Sequence, residues 1–445
     1  FIQITGCFSK KKIKDIFLKK NLKLNPTMNL FLWIYRLNVI KKIYSFFLIV
    51  LLLVTSPFLI RYLLINKKIR LLNNIYFNFP GIITKNKKCP TYDALLNQNL
   101  DDSFSVSIIN NNGTMISSYN DEVTRLPASN QKLFSSAYVL SKYKLNNNLK
   151  TSLLKKNKNN YYLLGQGDPD LNYENIIELI SNVKENKIIN FNIVEIDSKL
   201  YWPMGWTNTD KLYEYGAPIS SLAIESNYNK YDDIYALKNF IKNYLEKKFS
   251  GSNVNINFFD SEKKFYLKDT TEINRVYSTP ILSLLTLTNS ESHNFTAESI
   301  FKNASNTWND NDYIKLKNWL ENKGLPVTNT YFADASGLSR KNKITTKLVG
   351  LFLDKMRYSN DFKAYQSTLS IMGVRGTLAK RFINTELAGK FFGKTGTLSN
   401  VFALSGYLYK NDKPIIISII QNSNKIDKEK AFKLLREVYY MKSCE

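Results

Sequence analysis

The 445-residue chain is 44% hydrophobic and 22% charged, a balance that belongs to a folded protein and excludes disorder along its whole length. That length allows one large core, or a core carrying an inserted domain. The net charge of +25 could draw an anionic polymer or reflect solvated lysines in a chain rich in Lys, Asn and Ile; with no zinc-finger spacing and no RNP-like aromatic motif, nucleic acid is not expected as a partner.

Much of the positive charge lies early, where Asp15 is the only acid among the first 72 residues. Ile43 to Ile60 reads IYSFFLIVLLLVTSPFLI, without a charge, between Lys41-Lys42 and Arg61. Position and basic flank predict a signal or membrane anchor over 28–70, with the positive side in the cytoplasm and the rest of the chain outside. No small-x-small site follows, so an uncleaved anchor is expected. Residues 1–27 read as an upstream extension, since Met28 opens a signal-like stretch, and 71–90 as a linker. Cys89 and Cys444 flank the exported body and in an oxidising envelope could pair, or stay as two thiols near frayed ends; Cys7 lies ahead of the apolar run.

Periodicity predicts a helix around Tyr92–Leu100, then a hairpin in which Phe104, Val106 and Ile108 alternate, Asn111-Asn112-Gly113 turns and Met115–Tyr119 returns. In PASNQKLFSSAYVLSKY, Leu133, Phe134, Ala137, Tyr138 and Leu140 have helical spacing, with Pro127 and Ser129 as start signals. The polar stretch 145–160 suggests a boundary. Strand-like runs and one amphipathic helix, Tyr231–Lys248, then alternate through an inserted unit spanning 155–270. Helical patterns resume at Ile281–Leu287, Thr296–Ala304, Asp312–Lys323 and Thr345–Tyr358. The chain ends in strands and a helix over Lys428–Tyr440. A helix carrying a serine, an insert, helices, then strands carrying a lysine suggest a split α/β domain, 91–154 with 271–445, interrupted by a second.

The single histidine, His293, makes a zinc site improbable and leaves a Ser-His-Asp triad with one histidine and no G-x-S-x-G elbow. Serine chemistry would therefore need a lysine base. Ser129 and Lys132 are three apart and share a helix face, and Ser129 sits at the positive end of the helix dipole. A lysine activates serine only when its amine is partly neutral, through burial or a nearby cation. The spacing is weak alone: S-x-x-K recurs from Ser9, Ser141, Ser181 and Ser261. Ser292-His293-Asn294 could equally be an N-cap and loop, and S-x-N recurs at Ser118–Asn120. GKFFGKTGTL, 389–398, has three residues rather than four between its first glycines and precedes strands, which argues against a phosphate loop. Lys394 and Gly396 then share a strand face, where a cation beside bare backbone suits an extended peptide ending in a carboxylate.

The ordered set S-x-x-K, S-x-N and K-T-G, with PASNQKL, GQGDPDL, YGAPISSL, ESHNFTAE, DASGLSR and GVRGTLAKRFINTELAGKFFGKTGTLSNVFALSGYL, resembles the D-alanyl-D-alanine carboxypeptidase/endopeptidase family of serine peptidases, the low-molecular-mass class C penicillin-binding proteins. The resemblance spans about residues 90–440. It implies an α+β fold: a penicillin-binding transpeptidase/β-lactamase-like domain, an antiparallel sheet flanked by helices, with an inserted smaller domain. It also implies peptidoglycan stem peptides as substrate, β-lactam antibiotics as inhibitors, a cell-envelope location on the periplasmic side, and no metal or other cofactor. By resemblance Ser129 is the nucleophile, Lys132 its base, Ser292 a proton relay, Asn294 a holder of Lys132 and of the substrate amide, and Lys394 a source of positive potential. Thr395, Gly396 and Thr397 would bind substrate, with the backbone N–H groups of Ser129 and Thr397 as the oxyanion hole. Two departures stand out: His293 where Asn or Asp is commoner, and an insert short for the family. In GQGDPDL, Asp168 and Asp170 read as turn formers. A β-lactamase or esterase on the same motifs, and a non-catalytic cell-wall binding protein, are the alternative readings.

Overall fold

The computed structural model describes residues 89–195, 201–228, 234–260, 267–308 and 312–441. The apolar run 43–60, Cys7 and Cys444 lie outside them. Cys89 is disulfide-bonded, and since the sequence holds three cysteines its partner also lies outside.

The elements follow in chain order: α1 (Pro90–Asn99), β1 (Phe104–Ile109), β2 (Met115–Tyr119), a 3-10 turn over Ala128–Asn130, α2 (Gln131–Leu140), β3 (Asn148–Lys155), β4 (Asn160–Leu164), α3 (Tyr173–Ile180), β5 (Ile188–Glu195), α4 (Ile234–Lys248), β6 (Asn253–Asp260) and β7 (Thr271–Pro280). Then come α5 (Ile281–Asn289), α6 (Asn294–Ser305), α7 (Asp312–Asn322), α8 (Thr346–Met356), α9 (Phe362–Ser367), β8 (Ser370–Ile371), β9 (Phe391–Leu398), β10 (Val401–Lys410), β11 (Lys413–Asn422) and α10 (Lys428–Tyr440).

The first sheet is antiparallel in the order β2-β1-β11-β10-β9-β8. Its strands alternate between two buried faces. Phe104, Val106, Ile108, Leu404, Leu408, Ile417 and Ile419 enter a core with Tyr92 and Leu96 of α1 and Leu434, Leu435 and Val438 of α10. Ala403, Tyr407, Ile416 and Ile420 enter the opposite core with α2, α5 and α8. Burial on both sides explains why these strands are nearly continuously apolar. All ten residues of α2 are buried, so any side chain on that helix leaves water behind.

The second sheet, β6-β5-β4-β3-β7, has its own core of Leu153, Phe191, Ile193, Leu237 and Ile241. It starts at Asn148 and ends at Pro280 because β3 and β7 pair antiparallel, Thr151 opposite Val276. The polar stretch 145–160 contains β3, with Leu149, Thr151, Ser152 and Leu153 buried. A partner more than a hundred residues away, not local composition, makes it a strand.

Candidate active site

Ser129 sits in the 3-10 turn just ahead of α2. Its neighbour Ala128 has φ +46°, a left-handed conformation that costs a non-glycine residue about 1–3 kcal/mol and persists only where surrounding packing imposes it. The packing is visible. A β-carbon added to Gly396 would lie 2.9 Å from the Ser129 nitrogen and from the Pro127 oxygen; one on Gly337 would lie 1.9 Å from the Ala128 oxygen. The turn is held between strand β9 and the DASGLSR loop, and both positions require glycine. Asn130 Nδ2 donates to Ser405 Oγ on β10 at 2.7 Å, a further tie that the sequence did not reveal.

One turn into α2, the fully buried Lys132 amine meets three oxygens: Ser129 Oγ at 3.1 Å, Asn294 Oδ1 at 2.6 Å and the Ser336 carbonyl at 2.6 Å. Burial pushes Lys132 down to about 7, against the pull of Asp334 and Glu298. A neutral amine has two protons and one lone pair. Asn294 Oδ1 and the Ser336 carbonyl can only accept, so they take both protons and the lone pair is left for the Ser129 hydroxyl. The Asn294 amide is itself oriented, since Nδ2 donates to the Tyr215 carbonyl at 2.8 Å.

His293 caps α6: Nδ1 accepts from the Thr296 amide at 3.3 Å and lies 2.7 Å from Thr296 Oγ1. Burial, then the nearby Lys132 charge, pushes it down to about 4, so it is neutral near pH 7. It lines a cavity with Pro169, Asp170 and Glu225 rather than joining the lysine. Ser292 has φ +67°, and its hydroxyl has no hydrogen-bond partner among the described residues. In GQGDPDL, Asp168 Oδ1 accepts from the Asp170 amide at 3.0 Å, and burial raises Asp168 to about 6.

Lys394 is buried on β9, its amine donating to the Thr395 carbonyl at 2.8 Å. Burial and then Lys132 push it well below the usual lysine range, with Glu291 opposing. Two buried amines this close disfavour each other's charge. Thr395 Oγ1 donates to Thr377 Oγ1 at 2.7 Å, and Thr397 is exposed. On the outer side of β9, β8 pairs only with Phe392 and Gly393, so 394–398 carry no strand there among the described residues.

The loop at 334–339, within DASGLSR, has a task that local sequence does not show. Asp334, fully buried, accepts from Trp206 Nε1 at 2.9 Å, Gly337 N at 2.8 Å, Ser339 N at 2.6 Å and Asn342 Nδ2 at 2.7 Å. Gly337 N belongs to the same peptide unit as the Ser336 carbonyl that holds Lys132, so Asp334 polarises that carbonyl. Several donors converging on one buried carboxylate are a contact pattern, not a spacing, which is why local sequence did not show it.

A hydroxyl beside a buried, low-pKa amine, on an antiparallel sheet covered by helices, defines a class: the penicillin-binding and β-lactamase-like fold. The model of the D-Ala-D-Ala carboxypeptidase 3 (S13) family matches residues 93–234 and 230–437, well over half of the chain, and the chain belongs to that family. It is 32% identical over 123 residues to the D-alanyl-D-alanine carboxypeptidase of Actinomadura sp. (strain R39), a match covering 26% of this chain and 23% of the relative. It is 35% identical over 109 residues to the penicillin-sensitive carboxypeptidase A of Dictyostelium discoideum, covering 22% and 21%. These alignments thus span under a quarter of the curated relatives' length. Among solved structures it is similar to penicillin-binding protein 4 of Haemophilus influenzae, with a TM-score of 0.62 at 21% identity over 78% of this chain and 98% of that one. It is also similar to a predatory peptidoglycan endopeptidase of Bdellovibrio bacteriovorus, with a TM-score of 0.52 at 15% identity over 75% and 90%. At these identities the likeness is one of fold.

Proposed function

We propose that the protein is a serine-type D-alanyl-D-alanine carboxypeptidase/endopeptidase that trims or cleaves peptidoglycan stem peptides through an acyl-enzyme and is inhibited by β-lactams. The observation that carries this reading is the Lys132 amine, 3.1 Å from Ser129 Oγ and 2.6 Å from each of two oxygens that can only accept, which in the neutral amine leaves the lone pair for the serine. Lys132 takes the hydroxyl proton as Ser129 attacks the carbonyl between two D-alanines. The developing oxyanion is received by the amides of Ser129 and Thr397, a role supported by the close packing of Gly396, the residue before Thr397, on the Ser129 turn. Ser292, its hydroxyl otherwise unengaged, passes the proton to the leaving amine. The C–N bond breaks, D-alanine departs, and water releases the acyl group.

The substrate strand adds to the open edge of β9, and its terminal carboxylate is held by the hydroxyls of Thr395 and Thr397 near Lys394. A carboxylate arriving there favours the charged form of Lys394, and that charge keeps Lys132 neutral, so substrate binding readies the base. The family and the apolar run 43–60 support a cell-envelope location, with the catalytic body on the periplasmic side of an inner-membrane anchor.

The test mixes the protein with a fluorescent penicillin beside Ser129→Ala. A stable label on the parent that the variant lacks supports serine acylation. An unlabelled, folded parent with intact penicillin sinks it, and an unlabelled parent that consumes penicillin points to a β-lactamase.

A further inference from the structure

Behind Lys132 lies a second buried carboxylate with no part in the steps above. Glu298, four residues after Asn294 on α6, is fully buried. Its Oε1 accepts from the Ala335 amide at 3.0 Å and the Ser336 amide at 2.8 Å; its Oε2 accepts from the Tyr313 hydroxyl at 2.8 Å. All these partners can donate, which favours the carboxylate form, while burial and then Asp334 raise Glu298 to about 7 against the pull of Lys302, Ser336 and Tyr313. Lys302, one turn further along α6, supplies a cation with its amine 3.2 Å from Tyr201 Oη and over the rings of Tyr201 and Tyr313. The Ala335 and Ser336 amides immediately precede the Ser336 carbonyl, which accepts a proton from Lys132 at 2.6 Å. Glu298 and Lys132 therefore grip one short piece of backbone from opposite sides.

We propose that Glu298 is a positioning residue for the base: its carboxylate anchors the Ala335–Ser336 backbone so that the Ser336 carbonyl holds one Lys132 proton, and its charge sets how readily the Lys132 ammonium loses the third, the one on the Ser129 side. The inference rests on the serine-acylation reading. The charged and titratable groups around the pair are Asp334, His293 and Lys394 on the Lys132 side, and Asp334, Lys302 and Tyr313 on the Glu298 side. Of these, Asp334 and Glu298 favour a proton on Lys132, while Lys394 opposes it. Asp334 also holds the loop's own shape through its several donors, whereas Glu298 touches the loop only at the two amides that precede the gripping carbonyl.

The consequence is a division between charge and hydrogen bonding. Glu298→Gln keeps an acceptor for the two amides and removes the charge, so Lys132 loses its proton more easily. Glu298→Ala removes both. Acylation by fluorescent penicillin, measured as a second-order rate across the neutral pH range, separates them. With Gln, the acidic limb moves down by about one pH unit and the plateau stays within a few-fold of the parent. With Ala, the plateau falls about tenfold, because the Ser336 carbonyl is no longer held against the amine. Tyr313→Phe removes one donor from Glu298, raises its hold on a proton, and moves the limb down by less than Gln does. A folded Glu298→Gln whose limb stays in place or moves up overturns the inference, as does an Ala variant with the parent's plateau. If Glu298→Gln does not fold, Tyr313→Phe decides: an unmoved limb there overturns it. A parent that takes no label overturns the reading beneath; a labelled parent with unmoved limbs overturns this inference alone.

Discussion

A β-carbon on Gly396 would lie 2.9 Å from the backbone nitrogen of Ser129, so strand β9 and the turn bearing the hydroxyl touch where no side chain can stand between them. Gly396→Ala must push the strand and the turn apart, and with them the two amides proposed as the oxyanion hole. We expect acylation by fluorescent penicillin to fall by about 10–100-fold, the cost of a displacement near 1 Å at a reacting centre. A variant labelled at the parental rate would separate Gly396 from the chemistry.

Gly337 makes the stronger steric claim. With φ +84° and a hypothetical β-carbon 1.9 Å from the Ala128 oxygen, Gly337→Ala should destabilise the protein by about 3 kcal/mol and lower its melting temperature, with loss of acylation following from loss of the turn. An unchanged melting temperature would contradict the packing described.

Lys132 must be neutral to take a proton, and it sits at about 7. Acylation should therefore rise with pH through neutrality, with half its plateau rate near pH 7, and Lys132→Arg should abolish it because a guanidinium stays charged. A pH profile flat through that range would remove Lys132 as the base.

The same shift has a thermodynamic counterpart. An unfolded Lys132 holds its proton up to its ordinary value of 10.5, a folded one only to about 7. Between these values the unfolded state binds more protons, so stability should rise with pH, an increment lost below 7 and complete above 10.5. Melting curves of the parent and Lys132→Met across that window should differ in slope by this contribution; parallel curves would argue against a neutral buried amine.

The disulfide at Cys89 predicts a Cys89–Cys444 peptide in a non-reducing digest, tying the start of α1 to the end of the chain beyond α10. Reduction should lower the melting temperature by an amount corresponding to about 2–5 kcal/mol. A digest with Cys444 free and Cys89 bound to Cys7 would reassign the pair.

Local pattern made a good part of this legible. Ser129 and Lys132 could be paired because a helix repeat brings positions three apart together. The hairpin of β1 and β2, the helices α5 to α8 and the terminal α10 could be traced because apolar period and turn residues are properties of short windows. Strand β3 within 145–160 has no local signature, because it owes its existence to pairing with β7. Neither the Asn130–Ser405 tie nor the grip of Glu298 on 335–336 has any sequence signature; each joins residues far apart along the chain.

From its sequence alone, this protein has the identity and order of its chemical groups: a serine with a lysine three residues on, then one S-H-N and one K-T-G, and strands apolar enough to be buried on both faces. The tertiary structure decided what those groups are worth. It buried Lys132 on a helix closed on every side, set two acceptors and Ser129 Oγ around its amine, and set Glu298 and Asp334 behind the Ser336 carbonyl. Spacing along a chain specifies neighbours within a turn or a strand, whereas desolvation and the direction of a hydrogen bond depend on everything that folds around them.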